Sequence, residues 1–164
     1  MPVTLHGSCH CGAVRYTVDS STPVPYQMCS CSICRKLGGP SGSINLGGYN
    51  DTLKILQGKD DIRKYKAVLN RDTPDEKRVN SERSFCGKCG SMLWLFDSSW
   101  PELIHPFATS IDSPTLEEPK TMVCVKQNSK APWARLPEGP KEVYDDYGGL
   151  SIEEWHKKNG KFVE

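Results

Sequence analysis

Apolar positions along this chain recur with a period of two over short windows, and turn-forming residues interrupt nearly every window. Ala13 to Val18 sets the pattern, with branched and aromatic side chains spaced to share faces, and this predicts a strand. The same reading predicts strands over Ser41 to Leu46, Thr52 to Gln57, Arg63 to Val68, Asn80 to Phe85, Ser91 to Phe96, Ile104 to Ser110 and Thr121 to Lys126. Gly38-Gly39-Pro40, Gly47-Gly48, Gly58 and Asp72-Thr73-Pro74 separate them and supply turn chemistry. Short strands at about ten-residue spacing point to antiparallel sheets, not to a doubly wound fold. Beyond these windows the pattern changes. Ala131-Pro132-Trp133 and Leu136 to Pro140 read as an extended, proline-stiffened segment, with Trp133 expected to pack across the sheet as a core aromatic. Ser151-Ile152-Glu153-Glu154 is a capping box that predicts a short helix, with Gly160 as its stop. The expected architecture is mainly β, with residues 1–140 as the β domain and 141–164 as a tail carrying the helix.

Composition agrees with this picture and narrows the function. A chain of 164 residues is long enough to bury a core as one domain, and 14 glycines and 12 prolines favour short strands over long helices. The formal net charge is +1. Nucleic-acid and anionic-membrane binders show a strong basic excess or stripe, so neither partner is expected. Lys77-Arg78 with Arg83 nearby is the one basic run, but Asp75, Glu76 and Glu82 interrupt it, and it reads as a solvated mixed-charge face.

Cysteine spacing carries the chemistry. Seven of the eight cysteines form three clusters: Cys9 and Cys11, then Cys29, Cys31 and Cys34, then Cys86 and Cys89. Met1 to Gly12 has no charged region, apolar run and cleavage site of a secretory leader, and no apolar stretch approaches about 18 residues. The expected compartment is therefore reducing cytosol or nucleoplasm, where clustered thiols bind metal more often than they cross-link. Iron–sulfur clusters draw four cysteines together in longer-range patterns than these. Zinc suits the set: a closed tetrahedral site takes four thiolates, so seven make one closed site and one three-ligand site with an open corner. Thiolates bound to zinc would lower the net charge to about −2.

Glycine after each cysteine of Cys86-Gly87-Lys88-Cys89-Gly90 suits a metal knuckle between two strands. Cys9, Cys11, Cys86 and Cys89 then make the closed, structural site. Cys29, Cys31 and Cys34 can wrap three corners of a tetrahedron from a single loop, leaving the fourth for water or a substrate thiolate. Three thiolates soften the metal, which favours holding another sulfur. Arg35 and Lys36 follow directly and are candidates to grip the carboxylates of an acidic thiol, and Gly38-Gly39 would let a ligand approach the backbone. Cys124, in the apolar Met122-Val123-Cys124-Val125, reads as a buried small hydrophobe. Cys124 or one of His6, His10, His105 and His156 could instead close the second site and abolish its chemistry.

Gly7-Ser8-Cys9-His10-Cys11-Gly12-Ala13-Val14, Cys29-Ser30-Cys31-Ser32-Ile33-Cys34-Arg35-Lys36 and Phe85-Cys86-Gly87-Lys88-Cys89-Gly90-Ser91 resemble the three signatures of the glutathione-dependent formaldehyde-activating enzyme (GFA) and centromere protein V family. Lys130-Ala131-Pro132-Trp133 resembles its C-terminal strand region, and the likeness covers roughly Leu5 to Pro137. The resemblance implies a tent-like fold of zinc-stapled antiparallel sheets and two zinc ions, structural at Cys9, Cys11, Cys86 and Cys89 and catalytic at Cys29, Cys31 and Cys34. It also implies carbon–sulfur lyase activity of the S-(hydroxymethyl)glutathione synthase type, with glutathione as co-substrate. Gln57 to Ser81 and the tail from Tyr144 match no family pattern.

Two further function classes stay open at this level. One is a non-catalytic, zinc-stabilised binding module, although the chain has no basic tail for acidic partners. The other is a methionine-sulfoxide-reductase-like use of Cys124 as a nucleophile, which leaves the three-cysteine cluster unexplained. The electrophile, the identity of the thiol and a homodimer are not decided by sequence.

Overall fold

Residues 1–164 are all described by the computed structural model. The strands are β1 (Val3–Ser8), β2 (Arg15–Ser20), β3 (Gln27–Cys29), β4 (Ser43–Ile44), β5 (Gly48–Tyr49), β6 (Lys54–Gln57), β7 (Ile62–Leu69), β8 (Lys77–Cys86), β9 (Met92–Phe96), β10 (Leu103–Pro106), β11 (Ile111–Ser113), β12 (Met122–Val125) and β13 (Lys141–Val143). Two short helices, α1 (Ser32–Gly38) and α2 (Ile152–Lys158), complete the set. The chain is mainly β, as its alternating pattern predicts.

Strand alternation explains the first two sheets. In β1 and β2 the inward positions Leu5, Tyr16 and Val18 are fully buried while their neighbours face out, so one face of the antiparallel sheet β11-β1-β2-β6 is apolar. That face packs on Leu93, Trp94 and Ile104 of the second antiparallel sheet, β5-β10-β9-β8-β7. Tyr16 meets Trp94 edge to face at 4.9 Å, and its hydroxyl lies 2.6 Å from Ser110 Oγ, so the buried phenol is satisfied. Cys9 and Cys86 belong to this same core, which ties the first cysteine cluster to the packing of both sheets.

The third sheet, β13-β12-β3-β4, is mixed. β12 runs parallel to both β3 and β13, whereas β3 and β4 are antiparallel. The parallel pairs are long-range, and local alternation does not distinguish their sense. A second core of Val24, Tyr26, Val123 and Val125 lies beside it. Trp155 of α2 stacks on Tyr26 with ring centroids 3.7 Å apart, and the fully buried His156 accepts the Val24 N–H at Nε2 (3.0 Å) while Nδ1 lies 2.7 Å from the Ile152 carbonyl. The capping box is present: Ser151 Oγ accepts the Glu154 N–H, and Glu154 Oε2 accepts the Ser151 N–H.

Several expectations change. Trp133 is 73% exposed, so it is not a core aromatic; Trp94 and Trp155 take that role. The window Ile104 to Ser110 ends as a strand at Pro106, after which Ala108–Ser110 forms a 3-10 turn. Of Ser41 to Leu46 only Ser43–Ile44 forms a strand, with Asn45 adding an isolated antiparallel bridge to Phe107. Strand β1, which lacks a long alternating window of its own, was outside the predicted set. Arg83 is 5% exposed and lies within β8, contrary to its reading as part of a solvated face.

Candidate metal centres

Two cysteine clusters form, and they divide as the spacing predicts. The Sγ atoms of Cys9, Cys11, Cys86 and Cys89 all lie within 4.8 Å of one another, and so do those of Cys29, Cys31 and Cys34. In the first cluster Cys9 and Cys11 sulfurs are 3.5 Å apart and Cys11 and Cys86 sulfurs 3.8 Å. A tetrahedron with zinc–sulfur bonds of about 2.3 Å has edges of about 3.8 Å, so the donor set fits zinc.

Backbone turns aim these thiols. After Cys11 the chain turns through Gly12, whose N–H donates to the Cys9 carbonyl, and the Val14 N–H points at Cys9 Sγ (3.2 Å). Past Cys89, Gly90 adopts φ +78 and donates to the Cys86 carbonyl, the positive φ that glycine supplies at such a knuckle. Ser91 joins the two halves: its hydroxyl accepts the His10 N–H at 3.0 Å and lies 3.2 Å from Cys89 Sγ. That hydroxyl and nearby backbone N–H groups push Cys89 down to about 5. In the sequence Ser91 stands only as the last residue of the third signature and the first of a predicted strand, since a serine after a cysteine pair carries no distinctive spacing of its own.

The second cluster is built on β3 and α1. Cys29 ends β3, Cys31 is the N-cap of α1 with its sulfur 3.4 Å from the Cys34 N–H, and Cys34 sits in the first turn. The expected single loop is thus a strand end and a helix start; seven residues are too few to show helical periodicity in sequence. Thiol contacts from Cys29 and Cys34, followed by backbone N–H groups, hold Cys31 far below the usual thiol range, whereas contacts from Cys31 and Cys34, followed by burial, raise Cys29. Cys34 is favoured as thiolate by Cys29, but Cys31 and burial outweigh this and raise it, against the pull of the Arg83 charge.

The segment after β12 braces the cluster. The Ser30 N–H donates to the Val125 carbonyl, Gln127 Nε2 donates to Ser30 Oγ at 3.1 Å, and Arg35 Nε donates to the Ser129 carbonyl at 3.0 Å. Arg35 is therefore engaged, in part, in holding α1 to this segment. Lys36 borders a cavity of about 730 Å³ on the side of α1 facing β7, shared with Lys64, Arg71, Phe85 and Met92. Gly38 serves packing, since a Cβ there would meet Ser43 Oγ at 2.3 Å, and Ser43 Oγ donates to the Cys34 carbonyl. Partial burial and, after it, the three cysteine charges raise Tyr147 to about 12, although the residue as a whole is 64% exposed.

No fourth side-chain ligand joins the three sulfurs. Cys124 is fully buried in β12, in register with Met28, and burial raises its thiol. It neither closes the site nor presents a nucleophile, which removes the reductase-like reading. His6 and His10 are exposed, His105 Nδ1 faces the Leu46 carbonyl, and His156 is enclosed beside α2.

The family model described as glutathione-dependent formaldehyde-activating enzyme matches residues 4–127. A Halomonas elongata protein provisionally named glutathione-dependent formaldehyde-activating enzyme is 42% identical over 158 residues, 95% of this chain and 96% of its own length. A crystal structure of a Rhodobacter sphaeroides protein superposes with a TM-score of 0.53 at 22% identity, covering 68% of this chain and 91% of that one, and supports the fold alone. On its signatures, on the family match and on this relative, the chain belongs to the glutathione-dependent formaldehyde-activating enzyme family.

Proposed function

We propose that the protein is a zinc-dependent carbon–sulfur lyase that forms or splits the adduct of glutathione with a small electrophile such as formaldehyde, in the cytoplasm. The observation that carries this is the gathering of Cys29, Cys31 and Cys34 with no fourth side-chain ligand; a cavity edged by cations lies along the Ser32, Ile33 and Lys36 side of the same helix. Cys9, Cys11, Cys86 and Cys89 would hold a second, structural zinc. Zinc at the three-cysteine centre would supply a soft Lewis acid that keeps a substrate thiol deprotonated at neutral pH. In the synthetic direction the thiol sulfur bonds to the carbonyl carbon, the carbonyl becomes a hydroxyl, and the proton lost by the thiol ends on that oxygen.

The chain's own groups would position these reactants. Lys36 and Arg71 carry no ion-pair partner, whereas Lys64 is paired to Glu82 at 2.8 Å. The two free cations suit the carboxylates of an acidic thiol, and Phe85 with Met92 gives its methylene groups an apolar wall. Tyr147 retains its proton at neutral pH and offers an O–H donor beside the cluster. No helix is long and apolar enough to cross a membrane.

Native mass spectrometry with added glutathione, together with an assay of adduct turnover, tests the reading. Two zincs and a glutathione complex are expected, with Cys31→Ser keeping one zinc and a folded chain but losing both the complex and turnover. One zinc and no complex in the unaltered protein would sink it and favour the binding module.

A further inference from the structure

Arg83 is an anomaly that neither the closed cluster nor the cavity explains. It is 5% exposed, its NH1 donates to Ser81 Oγ at 3.2 Å, and its Nε is buried without any partner. No carboxylate lies within ion-pairing distance. The adjacent Glu82 points to the opposite face of β8, where it pairs with Lys64. A guanidinium does not deprotonate in proteins, so this is a permanent positive charge removed from water. Such a charge is costly unless an opposite charge compensates it.

Strand alternation shows where it points. Phe85, two residues along β8, lines the cavity together with Ser32 and Ile33 of α1, and Tyr65, in register with Arg83 on β7, lines it too. Arg83 shares this face and projects toward the helix that carries Cys34. Its charge stands within Coulombic reach of Cys34.

We propose that Arg83 is a positioning residue for the Cys29, Cys31 and Cys34 centre: a buried counter-cation that stabilises the three thiolates with their metal and favours a thiolate over neutral water as fourth ligand. This rests on the reading that the centre holds zinc. Three thiolates with zinc carry about −1, and a bound substrate thiolate makes this about −2. One buried positive charge offsets part of either state, and it matters more for the doubly negative one.

The test is a chelator titration of the zinc-loaded protein, read as ions per chain by native mass spectrometry, with and without glutathione, for the unaltered protein, Arg83→Gln and Arg83→Lys. Arg83→Gln is expected to release the second zinc at chelator levels at least about tenfold lower, roughly the effect of losing 1.4 kcal/mol, and to weaken glutathione binding further. The zinc of the Cys9, Cys11, Cys86 and Cys89 centre serves as internal control and should not move. Arg83→Lys, which keeps the charge but changes the hydrogen bonds, is expected to stay within about threefold of the unaltered protein. Retention of the second zinc by Arg83→Gln within about twofold would overturn the proposal. If Arg83→Gln does not fold, Arg83→Lys decides: a loss beyond about tenfold means that geometry, not charge, is what the site needs, and the proposal fails. A single zinc in the unaltered protein would instead remove the reading of the centre, and this inference with it.

Discussion

Gly42 has φ +87, and a Cβ built there would lie 1.9 Å from the carbonyl oxygen of Cys29. Both the left-handed backbone and the close approach exclude other residues, so Gly42→Ala must push β3 away from the turn leading into β4 or leave the left-handed region. The variant is expected to lose about 2–4 kcal/mol of stability in a urea titration and to hold less zinc at the three-cysteine centre. His156 is a second residue-scale lever. Burial lowers its pKa from 6.5, against the contact with the Ile152 carbonyl, and the ring accepts the Val24 N–H. A depressed folded-state pKa means that the unfolded chain binds the proton first, so stability is full above about 6.5 and falls as pH drops through the folded value. His105, lowered mainly by burial, adds in the same direction. Urea midpoints between pH 7 and 5 should therefore fall, and the difference in slope between the unaltered protein and His156→Gln isolates the histidine from any effect of metal release. Equal slopes would contradict the assignment.

At the scale of elements, β3 is the piece on which most depends. It ends at Cys29, is paired on one edge by β12 and on the other by β4, and is backed through Tyr26 by α2. Trp155→Ala removes the stacked ring and is expected to cost about 3–5 kcal/mol, visible as a lowered thermal midpoint. If β3 carries that support to the metal centre, the second zinc should also exchange faster while the first does not. How much of this was readable from sequence depended on the range of the interaction. Windows such as Ser91 to Phe96 and Arg63 to Val68 were legible because alternation is local, and Ser151 with Glu154 because a capping box is local too. The cysteine partition was legible because ligand spacing is itself a sequence property. The parallel pairing of β12 and the Gln127 brace on Ser30 were not, since each depends on a partner far along the chain, and the burial of Arg83 was not, since a charged residue carries no local burial signal. Helix α1 escaped because seven residues hold less than two turns, and Trp133 misled because a large aromatic is a strong but not decisive burial signal.

For the whole molecule, the two centres should fail in different ways. Cys11 and Cys86 are 75 positions apart, and Cys9 and Cys86 sit in the main core between the two antiparallel sheets. Closing a loop of that length in the unfolded chain costs about 4 kcal/mol of entropy, so a metal that closes it in the folded state is a fold-level restraint. Cys29, Cys31 and Cys34 span only a few residues, and a metal there restrains almost no chain. Cys86→Ser is therefore expected to give a protein with a thermal midpoint many degrees lower or one that does not fold, whereas Cys31→Ser should shift it little and abolish turnover. Stripping metal with a strong chelator should separate the same two events in time: turnover disappears with the first zinc released, and the loss of β signal in circular dichroism follows only with the second. Simultaneous loss of both would mean that the two centres are one cooperative unit, and the division between a staple and a reaction site would not hold.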